Sequence, residues 1–345
     1  MAKLLVLSQI LQLCRTTDYI CRNLNTRNTP MKTIKFYVII ISISVTLLAS
    51  FVLVYFLKDV SSTNTPSNKL RVFTSILPQE YFVKRIGGDR VEVQALVKPG
   101  SSPATYEPSP RQMAALSEAN LFFRIGVPFE RVVLPKIKNN MKNLRVVDTR
   151  EGVSLRKMNS HSHGAGDNEE NKQAAHPHDK DGADPHIWLN PRFVIIQART
   201  IADALIQADP KGKAAYEKNL AAFVKALDGL DAKLKKTFAP FKGKAFMVFH
   251  PAWGYFADAY GLKQEPIEIE GKDPSSKQLA RIVETARAQD IHIIFVQPQF
   301  SRRLAKRVAE SIGGKVVAID PLARDLISNL ENAAAKVSDA MKGSK

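Results

Sequence analysis

Cysteine is nearly absent from this 345-residue chain. Only Cys14 and Cys21 occur, both within the first thirty residues. A disulfide-stapled scaffold and a cysteine-built zinc finger are therefore closed to the rest of the chain. Long apolar runs are also scarce. Only Phe36 to Leu57 is long enough to cross a bilayer, so a polytopic membrane protein is excluded. Acidic residues are outnumbered, with 33 Asp+Glu against 50 Lys+Arg and a formal charge of +17. After residue 70 no basic block is interleaved with aromatics, so the charge reads as solvated surface and no nucleic-acid partner is expected.

The apolar run itself reads as an address. Lys32 and Lys35 precede it, as on a cytoplasmic flank, and no Ala-x-Ala site follows it. The expectation is a cytoplasmic segment over 1–35, an uncleaved signal anchor over 36–57 and a polar tether over 58–69, with cleavage as the alternative. Met31-Lys32-Thr33-Ile34-Lys35 would itself serve as an n-region, so residues 1–30 read as a possible over-extended start. Either way the remainder is exported. Cys14 lacks both an upstream apolar run and a preceding small residue, so it is not read as a lipid anchor.

From residue 70 onward, strand and helix patterns alternate. Strands are predicted at 70–75, 91–97, 121–125, 245–249, 291–296 and 315–319. Helices are predicted at 81–86, from Ser109-Pro110, at 193–205, 211–238, 252–260, 278–288, 302–311 and from about 326. The spacing of Tyr216, Leu220, Phe223, Leu227, Leu230 and Leu234 marks one long amphipathic helix. The fold class is therefore α/β. Two βα lobes, each a parallel sheet flanked by helices, are joined by a long rigid helix with a ligand cleft between them. Boundaries are expected at 70–205, 206–239 and 240–345. Residues 154–183 are polar and aperiodic and hold four of the seven histidines: His161, His163, His176 and His178. A short His-rich tract of this kind suits metal.

Three residues stand where strands end or a helix begins. His250 follows an apolar strand, Asp320 follows another, and His186 lies in Asp184-Pro185-His186 before a helix. Two imidazoles and a carboxylate converging on a cleft suit zinc, and also manganese or iron. His292 opens a strand instead of closing one, and no role is assigned to it.

Several segments together resemble a known family. They are Pro99-Gly100 with Tyr106-Glu107-Pro108, Asp184 to Pro191, Phe249-His250, Tyr260-Gly261-Leu262, Glu268 to Ser275, Gln297-Pro298-Gln299-Phe300 and Asp320-Pro321-Leu322. Over residues 70 to about 342 the chain is similar to the metal-binding, cluster A-I solute-binding proteins of ABC importers, the zinc-uptake group. The resemblance implies a bilobed fold and a metal ion held between lobes by His186, His250 and Asp320. It also implies delivery to a membrane permease and no enzymatic activity. The expected cargo is Zn²⁺, with Mn²⁺ as the alternative, and the expected state is a membrane-anchored monomer. One position departs from the family pattern. Where Pro-His-x-Tyr is usual, this chain has Pro103-Ala104-Thr105-Tyr106. Alanine offers no donor atom, so a fourth ligand must come from water, from the 161–178 histidines or from Glu107. Two rival readings carry their own tests: a zinc hydrolase with an open coordination position, and a surface adhesin without a full metal site.

Overall fold

The computed structural model describes residues 69–157, 183–269 and 272–343. They belong to one compact unit, Asn68–Lys345. The expected anchor at 36–57, its tether up to residue 68, and the histidines at 161, 163, 176 and 178 lie outside the described residues.

The first half builds one sheet from β1 (Leu70–Thr74), β2 (Val91–Ala95), β3 (Leu121–Arg124) and β4 (Arg145–Asp148), in the order β2-β1-β3-β4. Every pairing is parallel. Val72, Phe73, Leu121, Phe122 and Phe123 are all buried. Both faces of these strands are covered, which is why they read as continuous apolar runs. The covering helices include α1 (Leu77–Gly87), α2 (Pro110–Ser117) and α3 (Glu130–Asn140). Helix α1 begins at Leu77, four residues before its apolar spacing becomes visible, with proline in its first turn. Its C-cap, Gly88, sits at φ 56, in the half of backbone space that glycine enters without a Cβ penalty. The helix predicted from Ser109-Pro110 is α2, and a capping box opens it, with Ser109 and Gln112 bonded reciprocally.

Two helices follow, α4 (Pro191–Ala208) and α5 (Lys213–Phe238). At 26 residues, α5 is about 39 Å long. Tyr216, Phe223, Leu227, Leu230, Leu234 and Phe238 are buried along it. Asn219 donates to the carbonyl of Ile86 in α1 at 2.9 Å. The second sheet comprises β5 (Ala245–Val248), β6 (Lys263–Pro266), β7 (Ile293–Val296) and β8 (Lys315–Ala318), in the order β6-β5-β7-β8 and again all parallel. Its helices are α6 (Gly254–Tyr260), α7 (Ser276–Ala288), α8 (Arg302–Ser311) and α9 (Leu326–Lys342). Lys233 of α5 pairs with Glu331 of α9 at 2.9 Å, so the long helix is tied to both halves.

One apolar core runs from the first sheet through α5 to Tyr255, Phe256 and α9. A second lies on the other face of the second sheet. Strand β5 divides between them. Phe246 and Val248 enter the large core, while Met247 and Phe249 enter the small one, as side chains alternating across a strand must. In each sheet the chain steps outward in opposite directions from its central pair, β1/β3 and β5/β7. The crevice beyond the carboxyl ends of such strands is where ligands bind.

Candidate metal centre

All four strands of the second sheet lead into the same region. Each of three places a polar side chain two residues past its end: His250 after β5, Glu268 after β6 and Asp320 after β8. Gln297 follows β7 directly, with Gln299 two residues on. Two of these residues, Gln299 and Asp320, line a cavity of about 230 Å³ together with Ile76 and Val97 from the first half. It therefore lies where the carboxyl ends of both sheets meet.

His186 and His250 come together, with ring centroids 5.3 Å apart and planes at 69°. Each imidazole is held the same way. His186 Nδ1 lies 2.7 Å from Asp184 Oδ1, and the same oxygen accepts the His186 backbone N–H at 3.0 Å. His250 Nδ1 lies 2.6 Å from Glu268 Oε2. Asp184 and Glu268 are themselves buried. A carboxylate only accepts, so each Nδ1 carries the proton and each Nε2 presents its lone pair. Neither Nε2 has a hydrogen-bond partner among the described residues. This carboxylate–imidazole arrangement orients a metal ligand and raises its basicity.

The surroundings lock both rings. Gln297 brackets the His250 backbone, accepting from its N–H at 3.2 Å and donating to its carbonyl at 2.7 Å. The His250 ring stacks on Phe300 at 5.1 Å. Trp188 packs 5.1 Å from the His186 ring, and its indole N–H donates to the Pro321 carbonyl at 2.7 Å. Burial holds the His186 imidazole below its ordinary value, and the Asp184 carboxylate opposes that shift.

Asp320 stands differently. Its Oδ1 accepts from Gln299 Nε2 at 3.0 Å and from the Leu322 N–H at 2.9 Å, leaving Oδ2 without a hydrogen-bond partner among the described residues. Among the described residues no three His, Cys, Asp or Glu side chains are gathered closely enough to enclose an ion. The arrangement is a paired-imidazole half-site with Asp320 apart from it. Ala104 is exposed in a short turn, where its N–H donates to Ser102 Oγ at 3.3 Å, and Glu107 is exposed too. His292 is exposed and bonded to Asp290 at 2.8 Å.

Asp184, Glu268, Gln297 and Gln299 were not singled out by the sequence reasoning as functional residues. Asp184 carried a usable signal, because in Asp-Pro-His the carboxylate sits two residues from the ring it holds. Glu268 did not. Its position depends on β6, whose Lys263-Gln264-Glu265-Pro266 shows no apolar alternation.

A family profile described as "Zinc-uptake complex component A periplasmic" (ZnuA) matches residues 72–340. A solved structure titled "Crystal structure of ZnuA" is 41% identical, with a TM-score of 0.72, and the match covers 79% of this chain and 99% of that one. The "Zinc-binding lipoprotein AdcA" of Streptococcus pneumoniae is 29% identical over 280 residues, 81% of this chain. That match takes in 55% of AdcA, so the chain spans about half the length of this curated relative. The "Manganese ABC transporter substrate-binding lipoprotein PsaA" of Streptococcus pneumoniae is 31% identical over 263 residues, covering 72% of this chain and 79% of PsaA. With most of its length under the family profile and both sheets ending at one cleft, the chain belongs to the ZnuA family of periplasmic zinc-uptake components.

Proposed function

We propose that this chain captures a divalent metal ion outside the cytoplasm, zinc foremost, and delivers it to the permease of an ABC importer. The observation that carries the reading is the imidazole pair. Two rings 5.3 Å apart, each with Nδ1 tied to a buried carboxylate, offer two Nε2 lone pairs to one cation. Asp320, whose Oδ2 has no hydrogen-bond partner among the described residues, would supply an oxygen. Zinc takes four such ligands at about 2.0–2.2 Å, so binding draws Asp320 toward the imidazoles. The names of the zinc relatives support zinc, and the name of PsaA keeps manganese as the second reading.

The role is binding and not catalysis. A zinc hydrolase needs a carboxylate free to activate the metal-bound water. Here the two carboxylates beside the imidazoles are committed to Nδ1. Residues 36–57 would hold the exported unit at the membrane as a monomer, and the His-rich segment would collect ions for the cleft. Ala104 leaves the shell without its usual first imidazole, and water would complete it.

Metal content of the purified chain, followed by calorimetric titration with Zn²⁺ and Mn²⁺, tests the reading. Stoichiometric high-affinity uptake is expected, with zinc the tighter ion. Ala104→His is expected to tighten zinc further. A chain that takes up neither ion, before or after that substitution, would overturn the proposal.

A further inference from the structure

The flank of the first half formed by α3 and β4 carries charge of one sign. Between residues 131 and 147 there are five cations, Arg131, Lys136, Lys138, Lys142 and Arg145, and no acid. All five are exposed. Among the described residues, Lys136, Lys138, Lys142 and Arg145 have no ion-pair partner. Lys138 has a local use, since it lies in the last turn of α3 and offsets the helix dipole there. The acids on either side turn inward. Glu130 is buried and accepts from the Ser75 hydroxyl and from the Ile125 and Gly126 N–H groups, and Asp148 pairs with Arg150.

Apolar side chains are exposed on the same flank. Val132 is 62% exposed and Val146 37%, and among the described residues they are the large apolar side chains left open to solvent. Helix α3 buries Val133 and Ile137 in the core, so Val132, Pro135 and Lys136 lie on its outer side. Strand β4 has only β3 beside it in the sheet. Cations interleaved with exposed apolar groups suit a surface that lies on anionic lipid: charge attracts, and the apolar groups enter the headgroup boundary.

The topology points to the same partner. The chain enters the described fold at Leu70, the first residue of β1. Register carries Val72 to Leu121 and Leu121 to Arg145, so the flank begins two strands, about 10 Å, from that entry. Upstream lie the polar residues 58–69, at most about 40 Å long when extended, and the apolar run over 36–57. We propose that the α3–β4 flank docks on the anionic lipid surface of the membrane that holds this run. The inference rests on the reading of residues 36–57 as an anchor. A short tether keeps the local concentration of lipid surface high, so a patch of modest charge suffices. A second copy fits the flank poorly, because pairing β4 with β4 would set the same cations against one another.

The test reconstitutes the full chain into vesicles of phosphatidylcholine, with and without phosphatidylglycerol, and times acetylation of its lysines by mass spectrometry. Lys136, Lys138 and Lys142 are expected to react at least about threefold more slowly on the anionic vesicles. Lys306, exposed on α8 in the second half, should react alike on both. The difference should vanish at about 1 M salt, where the screening length is about 3 Å. Lys142→Glu combined with Arg145→Glu should return Lys136 and Lys138 to the rate seen on phosphatidylcholine alone, with an unchanged Tm, whereas Arg145→Lys should keep the protection. Equal rates on both vesicles, or equal slowing of Lys306, would overturn the docking. Slowing that disappears when the protein is diluted among more vesicles would overturn it too, and would assign the flank to a second copy. If an alkaline wash strips the chain from both vesicles, the anchor reading falls and takes this inference with it, while the metal cleft stands.

Discussion

The indole N–H of Trp188 donates to the backbone carbonyl of Pro321 at 2.7 Å. Trp188 lies two residues after His186 and Pro321 directly after Asp320, so one buried bond joins the turns that carry two of the three expected ligands. Trp188→Phe keeps most of the apolar volume and removes the donor, leaving the Pro321 carbonyl unmatched. Stability is expected to fall by about 1–3 kcal/mol, read as a lower urea midpoint. Zinc affinity is expected to fall with it, because the two turns lose their common fixing point. An unchanged midpoint would show that the bond contributes nothing net.

The carboxylates behind the imidazoles give a second expectation. Glu268→Ala frees the His250 ring to rotate and to change tautomer, and Asp184→Ala does the same for His186. Each is expected to cost roughly 10–100-fold in metal affinity. Glu268→Gln still offers an accepting oxygen and should lose less. Nitrogen-15 spectra of the imidazoles check the cause directly: wild type should show the Nδ1–H tautomer at both rings, and the alanine variants a mixture.

How far these residues could be read in advance follows from where burial leaves a mark. The central strands β1, β3, β5 and β7 are apolar on both faces, so their ends, and hence His250, were visible as breaks in hydrophobic runs. The capping box at Ser109 was legible because a polar pair three residues apart has few other uses, whereas the same box at Ser275 was not read. The edge strands were harder. Lys263 to Pro266 and Arg145 to Asp148 pair mainly through their backbones and carry little apolar pattern. Pro135 inside α3 obscured that helix, since it withholds an amide hydrogen there. Gln299 was legible only as part of the Gln297-Pro298-Gln299-Phe300 segment and not by its role, because an amide that clamps a carboxylate is defined by geometry and not by spacing.

Acid should act on the metal-free protein through His186. Its folded value lies below the ordinary 6.5, chiefly through burial, so the native state binds fewer protons than the unfolded chain. Stability linked to this ring is therefore complete above about pH 6.5 and is lost as pH falls below it, through the folded value. The same shift keeps the Nε2 lone pair available to metal in weakly acid solution, where an ordinary imidazole would already be protonated. Urea titrations across pH 5–8 on wild type and His186→Gln should show this slope in the wild type and a shallower one in the variant. Equal slopes would remove His186 as the cause.

Gly126 marks a place where backbone and side chain are fitted closely. It adopts φ 89, and a Cβ there would fall 2.5 Å from the Arg150 guanidinium. Its N–H also donates to Glu130 at 2.8 Å, part of the set of donors that holds this fully buried carboxylate. Gly126→Ala combines left-handed strain with displacement of Arg150. It is expected to destabilise by at least about 1 kcal/mol, read as a drop in Tm. Gly229→Ala meets nothing within 4 Å inside helix α5 and should instead raise stability by about 0.4–1 kcal/mol.

The roots of the His-rich segment are already joined. Lys157 pairs antiparallel with Ala183, and the Asp184 N–H donates to the Arg156 carbonyl at 2.9 Å. Antiparallel partners stand only about 5 Å apart, so a two- or three-residue turn can replace residues 158–182 without moving either end. The Arg156 N–H also donates to the Tyr255 hydroxyl, which in turn donates to the Asp184 carbonyl, each at 2.9 Å. The carboxylate behind His186 is thus anchored independently of the segment that precedes it. Excision should leave the fold intact and raise stability by up to about 2 kcal/mol through cheaper loop closure. In a zinc titration the cleft should keep its ion, while any further ions held by His161, His163, His176 and His178 should disappear and loading should slow. Loss of the cleft ion itself would instead place one of those histidines in the shell, in the position that Ala104 leaves without a donor.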